Sequence, residues 1–306
     1  MDAILILEQT LNGLQFGLML FLLAAGLTLV FGIMDMINLA HGSLYMVGAY
    51  LAAAIATASG SFVVAVLGAM AGTAVVGILL EVSLLRRLYQ RDHLHQVLAT
   101  FGLILMANEA VRMIWGPEAL SLNMPEPLSG PIELGGGLVY PAYRLMIIGV
   151  GLAVAGLLYL LVAHTRLGML VRAGASNREM ARVMGVRVGS VFTAVFAIGA
   201  ALCALAGALL GPLLAVQVGM GESVLILAFV VIVIGGIGSV RGAFVGALLV
   251  GMVDTVGRTF LPLSLRAILP PQIAGDLGPA LASILIYVLM AGVLFWRPQG
   301  LFPARG

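Results

Sequence analysis

The sequence predicts an all-α polytopic membrane protein, and three observations carry that prediction. Hydrophobic residues make up 62% of the chain and charged residues only 9%, with a mean hydropathy of +1.16, whereas a soluble domain has about 25% charged residues. Apolar runs long enough to cross a ~30 Å hydrocarbon core recur from one end of the chain to the other. No stretch between those runs is long enough to enclose a soluble core, so residues 1–306 read as a single transmembrane domain.

The runs fall at about 11–33, 43–58, 62–84, 97–115, 141–163, 191–215, 224–240, 242–258 and 278–296. The pieces at 43–58 and 224–258 are short or interrupted by glycine, giving about eight or nine crossings. The N-terminus, Met1-Asp2-Ala3-Ile4, has no basic n-region and predicts no cleaved signal peptide. Arginine placement sets the orientation. Arg86, Arg87 and Arg91 share one loop, Arg166 to Arg187 another, and Arg297 and Arg305 the tail, which places all three on the cytoplasmic side. The loop at about 116–140 carries Glu118, Glu126 and Glu133 without a basic residue and is expected outside. The crossings then alternate with the N-terminus outside and the C-terminus cytoplasmic.

Several function classes are excluded by what is missing. All 15 basic residues are arginine. A P-loop needs a lysine to reach the β and γ phosphates, so the chain is expected to bind no ATP itself, and Schiff-base chemistry is excluded likewise. Cys203 is the single cysteine and lies in an apolar run, which rules out a disulfide framework or a thiolate metal site. The net charge of +2 gives no reason to expect nucleic acid as a partner. No Ser/His/Asp set or carboxylate pair stands at catalytic spacing, so the chain reads as no enzyme, with no cofactor and no metal. His93 and His95 have an i, i+2 spacing that could suit a metal, but no second ligand cluster accompanies them. A solvated loop is the better reading.

The most distinctive polar stretch is the cytoplasmic loop at about 164–190. Ser176 and Glu179 have the S-x-x-E spacing of a capping box, and Gly185 sits where a C-cap glycine belongs. Between them Met180, Val183 and Met184 fall at i, i+3, i+4, with Arg178, Glu179 and Arg182 on the other face and Asn177 and Ala181 completing the segment. A two-turn amphipathic helix is too short to be stable alone in water. It reads as a docking element whose apolar stripe another chain receives.

Two glycine-rich turns look related. One runs from Phe31-Gly32 through His41-Gly42-Ser43 to Tyr50, the other from Gly235-Gly236-Ile237-Gly238 through Gly242 to Ala247. In the expected topology each follows an inward-going helix and precedes an outward-going one, a faint parallel repeat. Broken helices of this kind mark transport sites. The alternative is that Gly42, Gly235, Gly236, Gly238 and Gly242 serve close helix packing.

Four segments carry a family resemblance. F-G-x5-N-L-A-H-G-x5-G-A-Y (31–50) and G-G-I-G-S-V-R-G-A-F-V-G-A (235–247) are two of them. The others are the loop T-x-x-G-x-x-x-R-A (165–173) leading to A-x-x-x-G-V (181–186), and the closing R-P-Q-G-L-F (297–302). Together they resemble the branched-chain amino-acid permeases of ABC importers, in the shorter LivH type. The resemblance implies a subunit in the bacterial inner membrane beside a second, LivM-like permease, two cytoplasmic ABC ATPases that bind the ATP, and a periplasmic substrate-binding protein. It implies a branched-chain or related amino acid as substrate, and the same subfamily includes permeases for urea, short amides and other small carboxylated solutes. The rival class, a stand-alone secondary transporter or channel, predicts coupling-ion carboxylates near the midplane and often inverted repeats.

Charges at mid-membrane cost on the order of 2.5–3.5 kcal/mol each on the insertion scale and should face the bundle or a cavity. Glu109 with Arg112 and Asp254 with Arg258 stand three and four residues apart and can neutralise locally. Asp35, Asn38 and His41 cluster at the first glycine-rich turn and have two readings: turn chemistry, or the lining of a translocation path. Glu222 lies just outside the 224–240 run, where it could face an entry vestibule. Trp115, Tyr140 and Trp296 stand at ends of crossings, as interfacial anchors do.

Overall fold

The computed structural model describes residues 3–36 and 38–303. Its helices are α1 (Ala3–Met34), α2 (His41–Ser59) and α3 (Phe62–Leu80), which runs through a π-helical turn (Glu81–Leu85) into the short α4 (Arg86–Leu88). Then come α5 (His93–Trp115), α6 (Ala142–His164), α7 (Arg166–Ser176), α8 (Arg178–Val183), α9 (Val188–Leu210), α10 (Met220–Gly235), α11 (Val240–Leu265) and α12 (Pro271–Trp296). Eight helical spans are long and apolar enough to cross a membrane, and α10, at 16 residues, is a shorter apolar helix.

The centre of the bundle is α1. Every residue from Leu18 to Val30 is buried, so the helix is apolar all round rather than on one stripe. Helices in lipid gain nothing from hiding apolar surface from water, and they associate where small residues let backbones approach. Gly13 and Gly17 of α1 face Gly251 and Ala247 of α11, and Gly26 faces Gly199 of α9. Helix α2 lies on α9 in the same way: a Cβ on Gly48 would fall inside the backbone of Ala204, and one on Gly207 would strike the Tyr45 carbonyl. Helices α11 and α12 pack with the Pro262 ring against Gly278.

Helix ends are closed by short-range chemistry. Ser61, Asp92 and Ser239 cap α3, α5 and α11, their side-chain oxygens accepting the amides of Val64, His95 and Gly242. The His95 imidazole, hydrogen-bonded through Nδ1 to the same carboxylate, holds the exposed Asp92 carboxyl below its usual range. The C-terminus of α10 is closed by the chain's own tail: Leu301 N donates to Ile234 O and Phe302 N to Gly235 O, each at 2.9 Å. Orphan carbonyls of a helix's last turn need such partners.

The connections fall at two ends of the bundle. At one end lie 35–36, 38–40, 86–92, 165–187, 236–239 and the tail, joined through Gly32 against Gly238 and Arg178 against Ile33. At the other lie 60–61, 116–141, 211–219 and 266–270, where Leu120 pairs with Val216. Among the described arginines, Arg86, Arg87, Arg91, Arg166, Arg172, Arg178, Arg182, Arg187, Arg241 and Arg297 belong to the first end and Arg112, Arg144, Arg258 and Arg266 to the second, where Glu118, Glu126 and Glu133 also lie. Arg305 lies outside the described residues.

Some expectations need correction. Most helices begin earlier or end later than the apolar runs, as at His93, Pro271 and Leu265, because backbone amides must stay paired until water reaches them. The loop at 116–140 contains a 3₁₀ turn (Glu126–Leu128) and a small antiparallel hairpin, β1 (Pro131–Glu133) with β2 (Val139–Pro141). Gly135, Gly136 and Gly137 carry positive φ in its turn. Tyr140 is no interfacial anchor, since it is buried and donates to Asn12 Oδ1 at 3.0 Å. Trp115 is partly buried and tilts against Tyr50, centroids 5.4 Å apart, while Trp296 is exposed as expected.

Two glycines should respond oppositely to a side chain. Gly48→Val overfills a backbone contact and should destabilise by about 1–3 kcal/mol. Gly102→Ala enters open space in α5 and should stabilise by roughly 0.5–1 kcal/mol. Thermal unfolding of the two variants in one detergent checks the pair of signs.

Candidate coupling and translocation sites

The arginine-rich end holds the loop that the sequence singled out, built as two helices rather than one. Thr165 caps α7, its hydroxyl accepting from Gly168 N at 3.2 Å. Helix α7 lies on the bundle through Gly168, Val171 and Gly174. The chain then breaks at Asn177 (φ −154°, ψ 106°), whose Oδ1 accepts from Met180 N at 2.9 Å and starts α8. The expected Ser176–Glu179 capping box is therefore not formed. Ser176 is the last residue of α7, and the adjacent Asn177, an equally good cap residue, takes the role.

The other end of α8 follows the expectation. Gly185 has φ +86°, Val186 N donates to Ala181 O at 3.0 Å and Gly185 N to Arg182 O at 2.9 Å. These are the paired bonds of a Schellman motif. Between the caps Ala181 is buried, whereas Met180, Val183 and Met184 are 58%, 82% and 77% exposed. The apolar stripe faces outward, uncovered by any of the described residues. Arg178 turns the other way: Nη2 donates to Ile33 O at 2.8 Å, and the guanidinium sits over the Phe192 ring, 5.4 Å from its centroid.

Beside α8 is a cleft of about 510 Å³ lined by Ile33, Asp35, Ser176, Asn177, Glu179 and Gly238 among others. Asp35 is exposed there with φ +48°, a left-handed conformation that aspartate tolerates better than most residues. The other residues of the first turn are internal. Asn38 is buried, and its Oδ1 accepts from Ala40 N at 3.1 Å. His41 is buried, its Nε2 3.0 Å from Cys203 Sγ, in a notch that the absent side chains of Gly26 and Gly199 leave open. Asn38 Nδ2 and His41 Nδ1 are buried without a side-chain hydrogen-bond partner among the described residues. Glu222 is exposed at the opposite end, where its Oε1 accepts from Asn108 Nδ2 at 2.7 Å.

The glycines of the two turns divide by role. Gly42 meets the Gly221 carbonyl across the α2–α10 crossing, and Gly235 and Gly242 meet backbone to backbone between α10 and α11. Gly236 (φ +104°) and Gly238 (φ +80°) make the turn between those helices. Gly238 N donates to Thr28 Oγ1 at 3.2 Å, so the second turn rests on α1 close to the first.

A family profile described as branched-chain amino acid transport system / permease component matches residues 9–294. The high-affinity branched-chain amino acid transport system permease protein BraD of Pseudomonas aeruginosa is 31% identical over 309 residues, 96% of this chain and 95% of its own length. The corresponding protein LivH of Escherichia coli K12 is 28% identical over 313 residues, 96% of each chain. A probable branched-chain amino acid transport permease, LivH of Methanocaldococcus jannaschii, is 26% identical over 261 residues, 79% of this chain and 78% of its own. No solved structure matches. The chain belongs to the branched-chain amino acid transport permease family.

The permease also contains a buried carboxylate, paired with a partly exposed arginine, that the sequence reading passed over. Glu81 is fully buried in the π-helical turn and accepts from Arg86 Nε at 3.3 Å and Nη2 at 3.1 Å, Tyr89 OH at 2.9 Å and Thr193 Oγ1 at 2.8 Å. Burial first, and the Glu81 carboxylate next, push the Tyr89 phenol up, so it keeps its proton and donates. The signal was available: Glu81 is the only charge inside the apolar run at 62–84, and an intramembrane ionisable residue is a functional candidate by default. Asn108, the partner of Glu222, had no such signal. The pairs read from spacing do form, Arg112 to Glu109 at 3.2 Å and Arg258 to Asp254 at 2.8 Å.

The cap assignment has a direct consequence. Asn177→Ala should cost α8 about 1 kcal/mol, while Ser176→Ala should leave it nearly unchanged. Amide exchange at Ala181 to Val186 in the solubilised permease measures both.

Proposed function

We propose that this chain is the membrane-spanning permease subunit of an ATP-driven importer of branched-chain or related amino acids in the bacterial inner membrane. A separate cytoplasmic ATPase binds and hydrolyses the ATP, since this chain has no lysine with which to build a P-loop. In the assembly two such ATPases serve two permease subunits, this one and a LivM-like partner, and a periplasmic binding protein delivers the amino acid. The observation that carries the reading is α8, a helix capped at both ends that holds Met180, Val183 and Met184 out of the bundle. An apolar stripe that none of the described residues covers fits a groove on the ATPase.

Arginine placement supports the orientation, with α8 and the tail cytoplasmic and the N-terminus and the 116–141 loop outside. ATP binding draws the ATPases together, and α8 carries the displacement into the bundle. The bundle then changes the side to which its cavity opens. Asp35 and the first turn stand at the inner end of this route, and Glu222 with Asn108 at the outer mouth.

Met180→Glu places an unpaired charge in the docking stripe, where desolvation makes it costly. The variant should insert normally yet lose the ATPase on co-purification, or hydrolyse ATP without uptake of leucine. Normal assembly and uptake would remove α8 from the docking role. Orientation is checked in a Cys203→Ala background with single cysteines at Ser129 and Asn177. A membrane-impermeant maleimide on spheroplasts should label position 129 and spare 177.

A further inference from the structure

Helix α8 offers its apolar stripe outward and has few holds on the rest of the chain. Ala181 is its buried residue. Among the described residues, Arg178 makes the one side-chain hydrogen bond from α8 to a membrane-spanning helix, donating to the Ile33 carbonyl in the last turn of α1. The cleft beside it separates Asn177 and Glu179 from the ends of α1 and α10, leaving room for α8 to move about that attachment.

The same guanidinium begins a chain of direct contacts. It lies 5.4 Å from the centroid of Phe192, which is buried near the start of α9. Phe192 meets Tyr89 edge to face, with centroids 5.4 Å apart and planes at 78°. The Tyr89 hydroxyl donates to Glu81, which also holds Arg86 and, across to α9, Thr193. Glu81 opens the five-residue π-helical turn at the end of α3. Such a turn is a wide register that sits within an α-helix and is frequent at functional sites. A shift of one residue would return it to α-helical register and rotate everything beyond it, giving the turn a second discrete arrangement. An element with two arrangements that both sites bias is what gives coupling between distant sites a physical basis.

We infer that Arg178, Phe192, Tyr89 and Glu81 form the joint through which displacement of α8 reaches the membrane helices, with the π-helical turn of α3 as the element that switches. Arg178 pulls on α1 through Ile33 and on α9 through Phe192, and the Tyr89–Glu81 bond passes the movement to α3. Arginine suits the first position because its planar guanidinium stacks on an aromatic face while donating in its own plane; lysine cannot do both. The inference rests on the proposed docking of an ATPase at α8, and it assigns these four side chains a positioning role, with no contact to substrate or nucleotide.

The test uses the complete importer in proteoliposomes and reads three quantities: ATPase co-purified, ATP hydrolysed, and amino acid taken up per ATP. Arg178→Lys, Phe192→Leu and Tyr89→Phe should each keep the ATPase bound and hydrolysing. Uptake per ATP should fall between about twofold and thirtyfold, the range that residues along a coupling network command. Because the contacts act in series, the Arg178→Lys/Tyr89→Phe double variant should fall no further than the worse single one. An unchanged ratio in all three would overturn the joint, as would single effects that multiply. If Arg178→Lys alone sheds the ATPase, Arg178 belongs to docking and the joint fails at its first member. Phe192→Leu, buried away from the α8 surface, separates that outcome from simple loss of assembly. A wild-type chain with which no ATPase co-purifies would sink the importer reading itself rather than this joint.

Discussion

The fold depends on how closely backbones can approach α1. Hydrocarbon solvates leucine as well as another helix does, so burial of apolar surface cannot by itself hold these helices together. Dispersion and packing must do so, and both fall away steeply with separation. The glycines at 13, 17 and 26 of α1 and their counterparts at 199 and 251 give backbone-to-backbone contact on opposite sides of one helix. His41 reaches the centre for the same reason, since the space around its ring is the volume that Gly26 and Gly199 do not fill. A polar ring at such a place is part of how α1, α2 and α9 fit, whatever else it does.

Charge is handled by the same economy of space. Glu81 has no exposure, yet four donor atoms from three residues surround its carboxylate. Breaking a buried charge network by removing one partner is costly because the other charge is left uncompensated. This site therefore fixes the relation of α3 to α9 firmly. The same firmness lets it carry a displacement, because a loose contact would absorb the movement.

The spans were legible because length and apolarity are properties of a stretch, and lipid imposes both. Their ends were not, since the helices extend beyond the apolar runs, α5 starting at the polar His93 and α12 at Pro271, whose missing N–H suits the first helical position. The coupling segment was half legible. Gly185 was readable because only a left-handed residue closes α8 there. The cap was misassigned by one residue because Ser176 and Asn177 are both cap types, and the spacing to Glu179 favoured the wrong one. What decided it was α7, whose weak sequence signal (a threonine cap and three small buried contacts) gave no reason to extend a helix through Ser176. The route from α8 to the bundle was illegible for another reason. Arg178, Phe192 and the Glu81–Tyr89 pair come from three separate segments, and no spacing rule joins them.

Helices α7 and α8 are neighbours in sequence with opposite mechanical characters. α7 is fastened along its length by buried glycine and valine contacts, and Arg172 donates to the Val162 carbonyl beneath it. α8 is capped at both ends yet held by little more than Ala181 and Arg178. The break at Asn177 lies between them, so α8 can tilt without dragging α7 from its seat. A helix stiffened by its own caps but lightly anchored behaves as a lever, and the point where it is anchored decides what it moves. Here that point is a single guanidinium lying against the last turn of α1 and the first turns of α9. Those helices meet at Gly26 and Gly199, where backbones touch and leave little slack between them. Motion delivered at one end of that pair is passed on as movement of whole helices rather than absorbed by side chains.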